Sequence, residues 1–356
     1  MDTTLQDFAD RIGHATGTRT PLRIRGGGSK DWYGQDVQGT LFDTTTYRGI
    51  TDYEPTELVI TARCGTPLAE IEAHLAQHGQ MLAFEPPHFG PGATLGGTVA
   101  AGLSGPRRQA AGAVRDFVLG AVLVDGKGEV LHFGGKVMKN VAGYDVSRLL
   151  AGSLGVFGLI AEVSLKVLPQ PVAECTVQLH INEDEALRRL NEWGGQPLPV
   201  SASCWHDGVL TVRLSGARSA VDAARKRIGG ELLDDADGWW RALREHDAAF
   251  FADAGSLWRL SLPTIAPPLA PPLALPGSQL IEWGGAQRWL RTDADPATIR
   301  AAVSAAGGHA TLFRGGEGSV GVFQPLAPAV LAIHRQLKTV FDPAGVFNRG
   351  RMYKEF

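Results

Sequence analysis

The chain has 356 residues, enough for two or three domains with separate cores. Its 44% hydrophobic and 20% charged residues suit an ordinary soluble globular protein, and a net charge of -3 gives no electrostatic reason to expect nucleic acid. Three scattered cysteines, Cys64, Cys175 and Cys204, fall short of the four thiolates an iron–sulfur cluster usually takes.

The first residues include Asp2, Asp7 and Asp10 and lack the blocks of a signal peptide, and no apolar run approaches a bilayer-spanning length. The expected location is cytoplasmic, with any membrane attachment or iron–sulfur wiring supplied by a partner.

Leu5, Phe8, Ala9 and Ile12 share one face of a predicted first helix. After Pro21, Leu22 to Arg25 reads as a strand running into Gly26-Gly27-Gly28-Ser29, and Leu58 to Ala62 as another. A helix follows, with Thr66 expected as N-cap, Pro67 first, Leu68, Ile71 and Leu75 inward, and Gly79 as its stop. Phe117 to Val124 and Val130 to Phe133 flank Asp125-Gly126-Lys127-Gly128 as a hairpin, and Leu159 to Leu168 reads as a strand.

Composition changes near Pro169-Gln170-Pro171, an expected domain boundary. Sixteen glycines lie in the 69 residues from Gly90 to Gly158, whereas seven of the eight tryptophans lie beyond residue 190. The second part reads as strand Cys175 to Ile181, helix Glu183 to Trp193, hairpin Ala202 to Leu214 turning at Asp207-Gly208, and helix Ala217 to Ile228, most of a ferredoxin-like layer. A helix around Trp239 to Phe251, strands near Leu257 and Leu280, a helix near Ala297 and a strand at His309 follow. Six prolines between Leu262 and Gly277 predict an extended surface connection.

Three glycine-rich segments carry the chemistry. Arg25-Gly26-Gly27-Gly28-Ser29 follows a strand, where consecutive amides and a hydroxyl form a nest for a diphosphate; taken alone, a plain glycine turn is the simpler reading. Gly90 to Gly102 has no bulky side chains to fill a core, so its amides and the Thr94 hydroxyl suit either a polar cofactor or a close-packed helix. Lys139 to Asp145, followed by Leu149 to Ile160, spaces glycines as if held against a flat object.

Other patterns carry less. Gly316-Glu317-Gly318-Ser319-Val320-Gly321 fits G-x-G-x-x-G, but Phe323-Gln324-Pro325 follows instead of a helix, so it reads as a hairpin turn. Glu70, His74 and His78 share a helix face that reads as solvated, without a closing metal ligand. His246 with Asp247, and His206 with Asp207, read as ordinary charged neighbours.

Together the segments resemble the PCMH-type (vanillyl-alcohol oxidase-like) FAD-binding family, in the order RGGGS, GATLGG, KNVAGYD and GSLGVFGLI, closed by a DPxGxxN signature at Asp342 to Asn348. RGGGSKDWYG, EPPHFGPGATLGGTVAAGLSGPRR and KNVAGYDVSRLLAGSLGVFG are similar to the E subunits of bacterial glycolate oxidases. The resemblance implies an α+β chain: a PCMH-type two-subdomain FAD-binding domain over residues 1–172, a smaller α+β cap with ferredoxin-like elements over 173–338, and a return segment over 339–356.

By position, the resemblance implies that Arg25, Gly26, Gly27, Gly28 and Ser29 hold the pyrophosphate, continued by Gly92, Thr94, Leu95, Gly96 and Gly97 and extended by Ser104 and Gly105. Gly158 and Ile160 would lie near the isoalloxazine, approached by Asn348. Many members bind FAD through a first-loop histidine; Gly28 and Ser29 stand there instead, so non-covalent FAD is expected. The implied activity is oxidation of glycolate, and of D-lactate as a further substrate, in a complex with a related FAD-bearing D subunit and an iron–sulfur F subunit, peripheral at the inner membrane through those partners. An Arg or Lys would hold the substrate carboxylate. His309 to Gly316 lacks the GDGNxH-like metal segment of catalytic relatives, and Gly152 to Gly158 lacks the acidic residue of their GSEGTLG run. No metal and no catalytic base are therefore assigned. A stand-alone D-2-hydroxyacid dehydrogenase and an accessory subunit of the same fold stay open.

Overall fold

The computed structural model describes residues 2–135, 144–253, 255–269, 273, 275–316 and 320–356, which form two compact units. The first comprises Met1–Ser104, Gly112–Pro169 and Pro325–Phe356; the second comprises Gly105–Ala111 and Gln170–Gln324.

In the first unit, Asp2 caps the helix Thr3–Thr18 by accepting from the Thr4 amide at 2.9 Å, and Arg19 ends it in the left-handed region. The helix buries Leu5, Phe8 and Ile12 against Phe42, Leu159 and Phe347. Phe8 meets Phe42 edge-on at 5.1 Å. Truncating so enclosed a phenylalanine costs about 3–5 kcal/mol.

Strands β1 (Leu22–Arg25) and β2 (Thr40–Asp43) pair in parallel. An antiparallel five-stranded sheet combines β3 (Ile50–Glu54), β4 (Val59–Arg63), β6 (Val118–Val124), β7 (Val130–Gly134) and β8 (Leu159–Lys166) in the order β3-β4-β8-β6-β7. The short strands β5 (Gln80–Met81) and β9 (Leu168–Pro169) pair separately. The β6–β7 hairpin forms as expected, its turn fixed by the Asp125 carboxylate accepting from the Lys127 and Glu129 amides.

The helix expected from Pro67 begins one residue later, at Leu68, with Pro67 in the capping position. Thr66 is not its cap: its hydroxyl accepts from the Gly49 amide at 2.9 Å and donates to the Arg63 carbonyl at 2.7 Å. A tertiary partner outcompetes the local bond.

The second unit holds one eight-stranded sheet built from two copies of one topology. The first copy is β10 (Ala173–His180), helix Glu183–Gly194, β11 (Val200–His206), β12 (Val209–Gly216), helix Arg218–Ile228 and β13 (Glu231–Leu232). Its order, β13-β10-β12-β11, is that of a ferredoxin-like layer, closed by a two-residue strand the sequence did not reveal. The second copy is β14 (Leu257–Ser261), β15 (Ser278–Glu282), β16 (Gln287–Arg291), helix Pro296–Ala305 and β17 (His309–Arg314), in the mirrored order β15-β16-β14-β17. The copies join through antiparallel β11 and β15.

The proline-rich segment lies where the first copy has the helix Glu183–Gly194, and it is a surface connection only in part: Pro263, Ile265, Pro267, Pro276 and Gly277 are exposed, but its other face is not. Ala266, Leu269 and Leu275 are buried in the core with Trp258, Leu290 and Ile299. Arg288, fully buried in β16, donates to the Ala266, Pro267 and Gly285 carbonyls. Prolines bar a helix but not burial, provided another group satisfies the exposed carbonyls. Residue 338 is likewise not where the second unit ends. The helix Pro328–Phe341 belongs to the first unit, where Phe341 packs near Phe133 and Phe157.

Candidate cofactor site

The loop leaving β1 lacks side chains because another stretch of main chain runs against it. A Cβ on Gly27 would overlap the Gly92 carbonyl oxygen, and one on Gly26 would overlap the Thr94 hydroxyl. Gly28 takes φ +76°, open to glycine at no steric cost, and its carbonyl accepts from the Asp31 amide at 3.1 Å. Arg25 then pairs with Asp31 at 2.6 Å. The two glycine segments thus meet backbone to backbone beside a cavity of about 270 Å³. Thr94, Gly97, Ala100 and Ala101 line it from one face of the helix Leu95–Ala101 and its cap.

The C-terminal signature supplies another wall. Asp342 accepts from the Val346 and Phe347 amides at 2.9 and 2.8 Å and from Lys338 Nζ at 2.7 Å. Lys338 also donates to the Val156 and Phe347 carbonyls. Burial draws its pKa down against the opposing pull of Asp342. The turn carries the chain beside β1, where the Leu22 amide donates to the Val346 carbonyl and the Asn348 amide to the Leu22 carbonyl. Asn348, in the left-handed region, accepts from the Ile24 amide at 2.8 Å and donates to the Leu154 carbonyl at 2.6 Å. Arg351 reaches the carbonyls of Lys30, Asp31 and Gln35 and holds that loop; burial lowers its pKa, with Asp31 and Asp36 opposing.

Residues 3–134 match the family described as FAD binding domain. The chain is 50% identical over 350 residues to the glycolate oxidase subunit GlcE of Escherichia coli K12, covering 98% of this chain and 97% of that protein. The chain belongs to the GlcE family of glycolate oxidase subunits. It is also 36% identical over 147 residues to the glycolate oxidase subunit GlcD of Bacillus subtilis, covering 41% of this chain but 31% of that one. A match to the D-lactate dehydrogenase of Anaerostipes hadrus is 32% identical over 133 residues, covering 37% of this chain and 28% of that protein. A solved alkyldihydroxyacetonephosphate synthase shares the fold at a TM-score of 0.67 and 15% identity, covering 96% of this chain and 74% of that one.

In this GlcE-family chain, the cavity gathers Arg25, Gly26, Gly27, Gly28, Ser29, Thr94, Gly97 and Asn348 from the residues singled out in the sequence. Gly92 stands behind them against Gly27. The others lie elsewhere. The Leu95 and Gly96 amides donate to the Thr66 and Cys64 carbonyls, and a Cβ on Gly96 would sit 2.6 Å from that of Cys64. Ser104 accepts from the Val114 amide, and the Gly105 carbonyl accepts from the Trp283 indole. Gly158 abuts the Val124 carbonyl and Ile160 sits buried in β8, neither lining the cavity. Lys139 to Gly143 lie outside the described residues. Sequence reasoning missed Arg23, Lys30, Asp36, Gln38, Leu154 and Arg351. Arg23 alternates with Ile24 on β1, and Lys30 and Leu154 stand inside the RGGGSKDWYG and GSLGVFGLI runs, whereas Asp36, Gln38 and Arg351 had no local signal.

The lining fits the polar part of a dinucleotide. Thr94 Oγ1 is buried beside the cavity without a hydrogen-bond partner, a state that costs about 1–3 kcal/mol unless a bound group satisfies it. Four cations, Arg23, Arg25, Lys30 and Arg351, outnumber the carboxylates Asp31 and Asp36, an excess suited to a diphosphate. Cys64, close behind Gly96, is no nucleophile, because burial pushes its pKa up to about 12.

The remaining patterns resolve structurally. His74 and His78 pack on the Tyr53 ring at 4.9 and 5.1 Å rather than facing only solvent, and no group of three candidate metal ligands occurs among the described residues. His206 meets the Gln279 carbonyl while Asp207 occupies the turn. His246 stacks on Phe251 at 3.8 Å beside Trp289 and Phe313; burial first, then Arg314, Arg259 and Arg291, drive its pKa well below the usual histidine range. The expected G-x-G-x-x-G turn falls partly on residues 317–319, outside the described ones.

Proposed function

We propose that this chain carries one non-covalent FAD as a subunit of a glycolate oxidase complex that converts glycolate to glyoxylate and passes electrons to a respiratory acceptor. The observation that carries the reading is the buried Thr94 hydroxyl beside the Gly27–Gly92 crossing, a polar cradle without a partner of its own. The first unit is the FAD-binding domain and the second the cap. Arg25 to Ser29, Thr94 and Gly97 hold the diphosphate end, while Asn348 and Arg351 keep the walls in register. When bound, the flavin supplies a two-electron acceptor for the hydride leaving a 2-hydroxy acid.

A D-type sister subunit and an iron–sulfur F-type subunit complete the complex, in keeping with the resemblance to glycolate oxidase E subunits. No helix among the described residues is long and apolar enough to cross a membrane, so the reading leaves cytoplasmic association with the inner membrane to the partners.

The test begins by denaturing the purified chain and identifying any released flavin. Stoichiometric free FAD supports the reading, and protein without flavin, or flavin that stays attached, counts against it. Glycolate- and D-lactate-dependent dye reduction is then compared for the chain alone and for the complex. Turnover by the chain alone supports a stand-alone dehydrogenase; turnover unaffected by loss of this chain's flavin supports an accessory role.

A further inference from the structure

The strip of main chain from Asn348 to Arg351 is a wall of two cavities. Asn348 and Arg351 line the cavity beside β1, whereas Arg349 and Gly350 line a second, more open depression of about 500 Å³. The C-terminal half of the helix Pro328–Phe341, the turn after it and the segment to Phe356 enclose this depression.

Its charges are unbalanced. Buried Lys338 and Asp342 offset each other at 2.7 Å. What remains is Arg335, Arg349 and Lys354, all exposed, against the exposed Glu355 carboxylate and the main-chain carboxylate of Phe356, an excess of one cation on a protein whose net charge is -3. The cations sit on a formed surface. The Arg349 guanidinium donates to the Ala344 and Gly345 carbonyls. The buried Phe356 ring lies 5.9 Å from the His334 ring, and a main-chain oxygen of Phe356 accepts from the Gly350 amide at 3.0 Å. Arg349 also adds to the field that draws down the Lys338 pKa.

We propose that this depression docks an acidic segment of a partner subunit, its carboxylates meeting Arg335, Arg349 and Lys354. The proposal rests on the reading of this chain as an oxidase subunit. A second copy of the chain would bring the same excess of cations to the contact, so charge complementarity favours a different, acidic polypeptide. The docked segment would press on Arg349 and Gly350, whose chain neighbours Asn348 and Arg351 line the cofactor cavity.

The experiment measures binding of this chain to its purified D-type sister subunit by calorimetry at low and high salt. The Arg335→Glu/Lys354→Glu variant is expected to keep its flavin and bind at least about tenfold more weakly, and wild-type binding to weaken with salt. Octaglutamate is expected to compete and octalysine not to. Unchanged affinity of the variant, or wild-type binding insensitive to salt and octaglutamate, overturns the proposal. If the variant does not fold, Arg335→Gln/Lys354→Gln carries the same two outcomes. Wild-type protein that holds flavin but shows no charge dependence sinks the docking site alone. Charge-dependent binding by flavin-free wild type sinks the FAD reading alone.

Discussion

The Gly92 carbonyl oxygen occupies the place where a side chain on Gly27 would begin. The crossing is therefore a packing contact before it is a ligand contact. Gly27→Ala should lower stability by about 1–3 kcal/mol, as overpacked sites do, and lose flavin as a consequence. Gly97 is the cleaner probe, because it lines the cavity and a Cβ there has only the Thr94 hydroxyl nearby, at 3.3 Å. Gly97→Leu should lose flavin while the flavin-free protein melts at or above the wild-type temperature. Released-flavin assays and melts of stripped protein check both.

Thr94 presents the opposite case, a polar atom whose absence the bare protein should welcome. Thr94→Val keeps the shape and removes the unsatisfied hydroxyl, so the stripped variant should be no less stable than wild type. Its flavin affinity should fall about tenfold, the worth of one hydrogen bond of about 1.4 kcal/mol. Fluorescence titration with FAD reads the affinity, and equal affinity for both proteins would remove Thr94 from the site.

Lys338 and Asp342 form the lock under the C-terminal turn. Lys338→Met leaves the Asp342 carboxylate buried without its cation and should cost about 3–5 kcal/mol. Adding Asp342→Asn should recover part of that loss, since the uncompensated charge is gone. Denaturant midpoints of the three proteins test the coupling; additive losses would show that the two residues act separately.

His246 predicts a dependence on acidity. Its pKa is well below 6.5 in the fold, so between that value and about 6.5 the unfolded chain binds a proton that the folded chain does not. Its contribution is fully present above about pH 6.5 and is lost as pH falls toward the folded value. The melting temperature should drop between about pH 7.5 and pH 5.5, and His246→Phe, which keeps an aromatic ring on Phe251, should flatten that slope. An equal slope in both proteins would refute the assignment.

Most local elements were legible because each depends on neighbours in sequence. The first helix, the Asp125 to Gly128 turn and the helix after Asn182 follow periodicity and side-chain capping, and the helix after Ala217 follows its Val221, Ala224, Ile228 periodicity and the stop at Gly229. β2, β3, β5, β13 and β16 were not read from the sequence; β5 and β13 have two residues each, β2 and β3 are mostly exposed, and Trp289 and Arg288 disguise the buried β16. Arg351 was not legible as part of the site, since its role rests on carbonyls more than 300 residues upstream.

By itself the sequence marked three glycine-rich stretches where something could come close to the main chain, and it pointed to the FAD-binding family through their order. It also gave most of a ferredoxin-like layer from Cys175 to Ile228, whereas the second copy of that topology emerged only from the sheet order. Tertiary structure alone decided which glycines face the cavity and which face the protein: Gly97 lines the space, while Gly96 closes on Cys64 and Gly158 on Val124. Only the folded chain showed Ala266, Leu269 and Leu275 of the proline-rich segment buried and the helix Pro328–Phe341 returned to the first unit. The reason is physical: a missing side chain specifies that something comes close, but its identity depends on crossings between residues far apart in the chain.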